Sequence, residues 1–315
     1  MVFLLSVVDE AIVNKTTPCD DYLPSNQTGI HVTLHRRFAL ISLLAACAVA
    51  QADCPTTLPL KGVLNVDNCY PMREDCVPAA DALYQYAEAV PDGGDEEMTI
   101  ALQGSPWHLY GPDSRIMTID TLAGILRQAG KKKKKLRHVV LMSSWSGTAP
   151  DKHHQPLAQQ LSNKLGDVKV SGADGFLWYS KEGKLTTTQQ AFTAFVSGPY
   201  AVKKGEPVMA ALVAGWPAQF EETFAKQGNA DGLLRAGVGH EAFSLCPERA
   251  WKAFDAAAAL GNPIAAYNAA VLRLERGARG DREAAQDLLR KAVAAGDQQA
   301  AALLDQTTLQ RKGKP

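Results

Sequence analysis

Three serines surround a tryptophan in the stretch Ser143-Ser144-Trp145-Ser146-Gly147. A hydroxyl on a loop that leaves a buried strand and enters a helix is where α/β enzymes hold a nucleophile. A serine needs a base, and the base needs an orienting group. The candidate bases are His108, His138, His153 and His154. The stretch lacks the first glycine of a nucleophile elbow, and no Asp/His pair can be assigned to it. It is therefore expected to cap the following helix and pack Trp145. A serine hydrolase acting through the Ser143–Gly147 loop is the alternative. His153 and His154, adjacent near a helix start, are residue types that bind metal or move protons, and the expectation here is an exposed pair. Trp107 and Tyr110 are of the types favoured at contact hot spots, and equally of the types expected in core or sheet-edge packing, the leading expectation for this stretch. Glu275 and Arg279 belong to a charged inter-helix turn. The candidate partner-binding set is thus Trp107, Tyr110, Ser144, Trp145, His153, His154, Glu275 and Arg279, with no catalytic residue.

The elements that must position these residues follow from pattern. Residues 78–90 and 120–129 read as helices, the second with an acidic N-cap at Asp120 and Gly130 as its stop. Residues 98–103 and 139–142 read as strands, the latter apolar throughout and so buried on both faces. A helix over 155–165 and strands at 168–170, 175–179 and 185–188 follow. Helix and strand in alternation predict a mainly parallel α/β domain. After a Gly- and Pro-marked region, residues 220–226 read as an irregular helix. Four Ala-rich helices are expected over 248–260, 264–276, 281–295 and 298–310. The fold class is therefore α/β plus all-α, with an α/β domain at 53–200, a connecting region at 201–247 and helical repeats at 248–310.

The chain has 315 residues, 33 basic and 33 acidic side chains and 46% hydrophobic residues. Zero net charge gives no bulk field for nucleic acid or an anionic surface, so no nucleic-acid partner is expected. The lysine run at 131–135 is expected to be a solvated connector. His35-Arg36-Arg37, the apolar run 38–46 and small residues at Ala48, Ala50 and Ala52 have the form of a bacterial secretory signal. The signal is placed at 32–52, residues 1–31 are expected to be an upstream extension, and a periplasmic location follows. Leu44-Ala45-Ala46-Cys47 also fits a lipobox, with Cys47 as a possible lipid anchor. Beyond the leader remain Cys54, Cys69, Cys76 and Cys246. In an oxidising compartment they suggest two disulfides. Full oxidation requires Cys246 to pair with one of the other three. Their spacing fits no zinc site, and neither metal nor cofactor is expected.

The helical end repeats itself. A shift of 35 residues sets Phe254 on Leu289, Ala257 on Ala292, Gly261 on Gly296, Asn262 on Asp297 and Ala266 on Ala301, the mark of stacked helix–turn–helix units. With Ala265-Ala266-Tyr267-Asn268-Ala269 opening a helix, this segment resembles Sel1-like repeats, relatives of the tetratricopeptide group. It departs from their usual pieces at Ala270-Val271-Leu272 and Gly277-Ala278-Arg279-Gly280. Residues 139–190 resemble degenerate caspase-like or toxin-associated α/β modules. Active members carry a nucleophilic Cys in the loop after the strand, where this chain has Ser143, Ser144 and Ser146. An exported chain joining the two parts resembles periplasmic immunity proteins of type VI secretion phospholipase effectors, those of the phospholipase D family in particular. The resemblance implies a non-enzymatic protein that binds and inhibits a cognate secreted phospholipase or lipase effector. A general Sel1-type envelope adaptor is a further alternative.

Overall fold

A computed structural model describes residues 2–3, 54, 56–67, 69, 72–91, 93–131, 136–194 and 200–312. The leader-like segment 32–52 with Cys47, the rest of 4–31, and 132–135 of the lysine run lie outside the described residues.

The central sheet is parallel. It consists of β1 (Val2–Phe3), β4 (Glu97–Ala101), β8 (His138–Met142) and β9 (Lys169–Gly172), in the order β1-β4-β8-β9. Ile100 is opposite Leu141 across the β4–β8 ladder, and Leu141 is opposite Gly172 across β8–β9. The crossover helices are α2 (Ile119–Gly130) and α3 (Leu157–Leu165). Helical spacing puts Leu122, Ala123 and Leu126 of α2 and Leu157 and Leu161 of α3 on buried stripes. They close over Met98, Ile100, Val139 and Leu141, the side chains of one sheet face. Strand alternation sends Ala101 and Met142 to the other face. There they meet helix α1 (Ala79–Glu88). The cap of α2 is Thr118, whose side chain accepts from the Thr121 N–H, rather than Asp120. Asp120 sits inside the first turn, where its charge suits the helix dipole.

Outside that sheet the pairing is mixed. Strand β10 (Phe176–Tyr179) runs antiparallel to β11 (Leu185–Thr188) and to β14 (Val208–Met209). It does not extend the parallel sheet, because the short turn at 181–184 folds β11 straight back on it. Strand β2 (Val63–Val66) pairs with β12 (Ala191–Ala194), and β3 (Cys76–Pro78) pairs with β13 (Ala201–Lys203). Between β4 and α2 a three-stranded arm projects, β5 (Gln103–Gly104), β6 (Leu109–Tyr110) and β7 (Ile116–Met117).

From Ala210 the chain is helical, with α4 (Ala210–Gly215), α5 (Glu221–Lys226), α6 (Ala230–Ala242), α7 (Pro247–Ala259), α8 (Pro263–Arg276), α9 (Asp281–Ala294) and α10 (Gln298–Lys312). Helix α6 has no counterpart in the sequence reading, because Gly232, Gly237 and Gly239 lower its helix propensity. Close packing explains them: a Cβ on Gly237 would come within 2.4 Å of the Phe254 ring, and one on Gly239 within 2.7 Å of the Ala214 carbonyl.

The turns α7–α8 and α9–α10 are copies. Gly261 and Gly296 have φ of 92° and 89°, left-handed values that favour glycine. Asn262 and Asp297 each donate a backbone N–H, at 3.1 Å, to Ala257 and Ala292 respectively. Their side chains cap the next helices by accepting from Ala265 and Ala300. Phe254 and Leu289 are both fully buried. The sequence period is therefore a period of hydrogen bonds and packing.

Two disulfides brace the chain. Cys54 is bonded to Cys246, 192 residues away, with Cα atoms 5.2 Å apart. Cys69 is bonded to Cys76. The first ties the start of the α/β region to the residue preceding α7.

Candidate functional site

The serine loop is built as a structural joint. Ser144 Oγ accepts the Leu177 N–H at 3.0 Å. Ser146 Oγ donates to the Ser143 carbonyl at 2.7 Å and accepts the Ala173 N–H at 3.2 Å. Ser144 is 2% exposed and Trp145 is fully enclosed. Trp145 has φ of 60°, a costly value for a bulky residue. Its ring meets Phe176 edge-on at 5.4 Å, in a cluster with Leu58, Leu212 and Leu245. Ser144 and Trp145 are therefore not contact-surface residues: the hydroxyl holds the β10 backbone and the indole fills a core.

The candidate bases are engaged elsewhere. His138 lies 2.7 Å from both Glu97 Oε2 and Ser171 Oγ. His153 and His154 are exposed, and His154 Nδ1 is 2.8 Å from Asp151. Asp151 also accepts the backbone N–H of both histidines, and these bonds hold its carboxyl below the usual range. The pair forms a local turn well suited to opening α3. Arg279 stands exposed in the α8–α9 turn.

The polar centre of the molecule is instead where the β5–β7 arm enters the helical region. His108 Nδ1 lies 2.7 Å from Glu241 Oε1 on α6, and Nε2 lies 2.8 Å from Glu275 Oε2 on α8. Ser105 Oγ donates to the same Glu241 oxygen and accepts the N–H groups of Trp107 and His108. Burial opposes a charge on His108, but the charge and hydrogen bond of Glu241, helped by Glu275, raise its pKa to about 10. Burial likewise opposes ionised Glu241, yet His108, Ser105 and Tyr110 hold its carboxyl below the ordinary value. An imidazolium with two N–H donors thus bridges two carboxylates from different helices. Tyr110, of a type favoured at contact hot spots, is fully buried in the helical core, so it is an anchor of the arm rather than a surface residue. Burial and Glu241 push its hydroxyl pKa well up.

Further along the arm, Asn268 of α8 accepts the Ile116 N–H at 2.8 Å and donates to the Ser114 carbonyl at 2.9 Å. The residue between, Arg115, reaches Asp297 at 2.7 Å and lies 4.7 Å over the Tyr267 ring. A segment of the same chain therefore packs against α6, α8 and the α9–α10 turn. Sequence reasoning passed over Glu241, Asn268, Arg115 and Asp297. One usable signal was a charged pair, His240-Glu241, inside a run of small apolar residues.

Beside this junction a cleft of about 370 Å³ opens between the arm, α2, α3 and the end of α8. Leu109, Ile116 and Leu157 line it together with Trp107, His108 and Glu275. Trp107 is half-buried, and the Glu275 side chain is 54% exposed. Two residues from the candidate contact set, 168 positions apart, thus meet at one opening. The Cys54–Cys246 pair with Glu248 is the one cluster of potential metal-ligating atoms among the described residues, and its sulfurs are already joined in a disulfide.

A family model described as a domain of unknown function, DUF8616, matches residues 72–187. The match runs from just before β3 to β11, and so holds Trp107, His108 and the serine loop. Glu241, Asn268, Glu275 and Asp297 lie outside it. No curated protein and no solved structure matches the chain.

Proposed function

We propose that this chain is an exported binding protein that docks a protein partner at the Trp107–Glu275 cleft and acts without turnover. The observation that carries the reading is the cleft itself: a lining of mixed apolar and polar side chains with a half-buried tryptophan and charged groups, built on a junction held by buried polar bonds. A rigid, preorganised surface of this kind lowers the ordering cost of association. The burial of all three serines, and the backbone bonds of Ser144 and Ser146, weigh against the hydrolase alternative. Export is supported by two disulfides, which persist in oxidising compartments. Among the described residues, no helix is long and apolar enough to cross a membrane.

The partner we propose is a cognate secreted phospholipase or lipase effector, on the resemblance of the architecture to periplasmic immunity proteins. The copied turns of α7–α10 support reading the helical end as divergent Sel1-like repeats. In such arrays one face commonly holds a partner. Here that task passes to the cleft, since the arm already occupies the faces of α6 and α8 that it bonds.

The test is co-purification of the chain, freed of its leader, with the product of an adjacent lipase gene, with and without Trp107→Ala. A stoichiometric complex that suppresses lipase activity and weakens on Trp107→Ala is the expected result. Steady hydrolysis by the chain alone, or a complex indifferent to Trp107→Ala, overturns it.

A further inference from the structure

We infer that the cleft receives a cationic side chain, an arginine of the protein partner, between Trp107 and Glu275. The inference rests on the docking reading above and adds the chemistry of the occupant.

Charge is the first argument. The carboxylates of Asp120, Glu241 and Glu275 stand in or directly behind the cleft, against the cations of His108 and Lys164. Lys164 is paired with Asp120 at 2.6 Å, and His108 is shared by the two glutamates. One negative charge is left over, and Glu275 is the half-exposed member that carries it to the surface. An incoming anion would meet Glu275 and Asp120 at the rim. An incoming cation would complete the set.

Hydrogen-bonding capacity is the second argument. The amide nitrogen of Gln160 donates to the Gln155 carbonyl at 2.7 Å, and that of Asn163 donates to Gln155 Oε1 at 3.1 Å. The Gln160 side-chain oxygen and the Glu275 carboxylate are acceptors lining the cleft. Such acceptors suit a guanidinium, which brings five donors and no acceptor.

The third is the indole. A guanidinium over the face of a tryptophan gains from the ring quadrupole, and arginine does so more often than lysine. The chain uses this contact internally, with the Arg276 guanidinium 4.1 Å over the Trp251 ring. Trp107 lines the cleft together with Glu275, its side chain also packed against the cluster of Leu58, Phe176 and Leu212.

The experiment uses the folded chain and two short blocked peptides, Gly-Arg-Gly and its citrulline analogue, which keeps the shape and removes the charge. The readout is the Trp107 indole N–H resonance, assigned with Trp107→Phe. The arginine peptide should shift it saturably, and Glu275→Gln should weaken that binding about fivefold, the scale of one exposed charge contact. The other tryptophan resonances, Trp145 included, should stay in place and report an intact fold. Equal binding of the citrulline peptide, binding of a Gly-Glu-Gly peptide instead, no shift at any soluble concentration, or indifference to Glu275→Gln overturns the inference. Loss of the partner complex on Trp107→Ala, with no response to the arginine peptide, would leave the docking reading standing and remove only the arginine.

Discussion

Two polar loops leave the carboxyl ends of neighbouring strands and are used in opposite ways. The loop after β8 turns its serines inward and bonds Ser144 and Ser146 to backbone nearby in space within the α/β region. The arm after β4 sends His108, Arg115 and its backbone into the helical region, to partners 133 to 182 residues further along the chain. The first loop stabilises one domain and leaves no reactive group exposed. The second joins two regions and leaves an opening at the seam. Polar residues after a strand therefore mark a site only when their bonds run to a different part of the fold.

The largest loss is expected at Glu241. Glu241→Ala strands a buried imidazolium, and the loss of one partner from a buried pair costs about 3–5 kcal/mol. Urea unfolding should show this as a lower midpoint, and an effect under about 1 kcal/mol would mean that the junction is not the principal joint. Next is the covalent brace. Cys54→Ala with Cys246→Ala should cost about 2–5 kcal/mol, more than the equivalent change at Cys69 and Cys76, since the longer loop constrains the unfolded chain more. Thermal unfolding of the two double variants ranks them directly. Asn268→Ala removes both partners of the Ser114–Ile116 backbone and should cost about 1–3 kcal/mol.

The pH dependence sharpens the same contrast. With its folded pKa raised to about 10, His108 contributes stability that is fully present below its unfolded pKa of about 6.5 and lost as pH rises through the folded value. Glu241, whose pKa is lowered, acts in the opposite sense, its contribution being lost only as pH falls through that depressed value. The stability difference between the native chain and His108→Gln should therefore shrink between about pH 6.5 and 10. A constant difference across that window would mean that His108 is uncharged in the fold. The smallest effect belongs to the serine loop: Ser144→Ala should cost about 1 kcal/mol and leave partner binding unchanged.

Much of the scaffold was readable because its periodicities are local. The stripes of α2 and α3, the apolar β8 strand and the 35-residue repeat all follow from side-chain spacing, and Gly261 and Gly296 mark their turns directly. The junction was not readable, because nothing near His108 announces Glu241 or Glu275. Burial also decided between the two uses open to Tyr110 and Trp145. Tyr110 and Trp145 are of types common at interfaces, but a large ring serves a core equally well, and residue type alone does not separate the two uses. Helix α6 was hidden by glycines whose purpose appears only when Phe254 is set against them.

The bond between Cys54 and Cys246 encloses the one between Cys69 and Cys76. For a chain that crosses a membrane amino end first, Cys54 emerges beside Cys69 and Cys76 long before its true mate arrives. An oxidase that joins cysteines in order of appearance would trap the wrong pairs. On the export proposed above, maturation calls for a thiol–disulfide isomerase as well as an oxidant, and cells lacking the isomerase should accumulate scrambled forms.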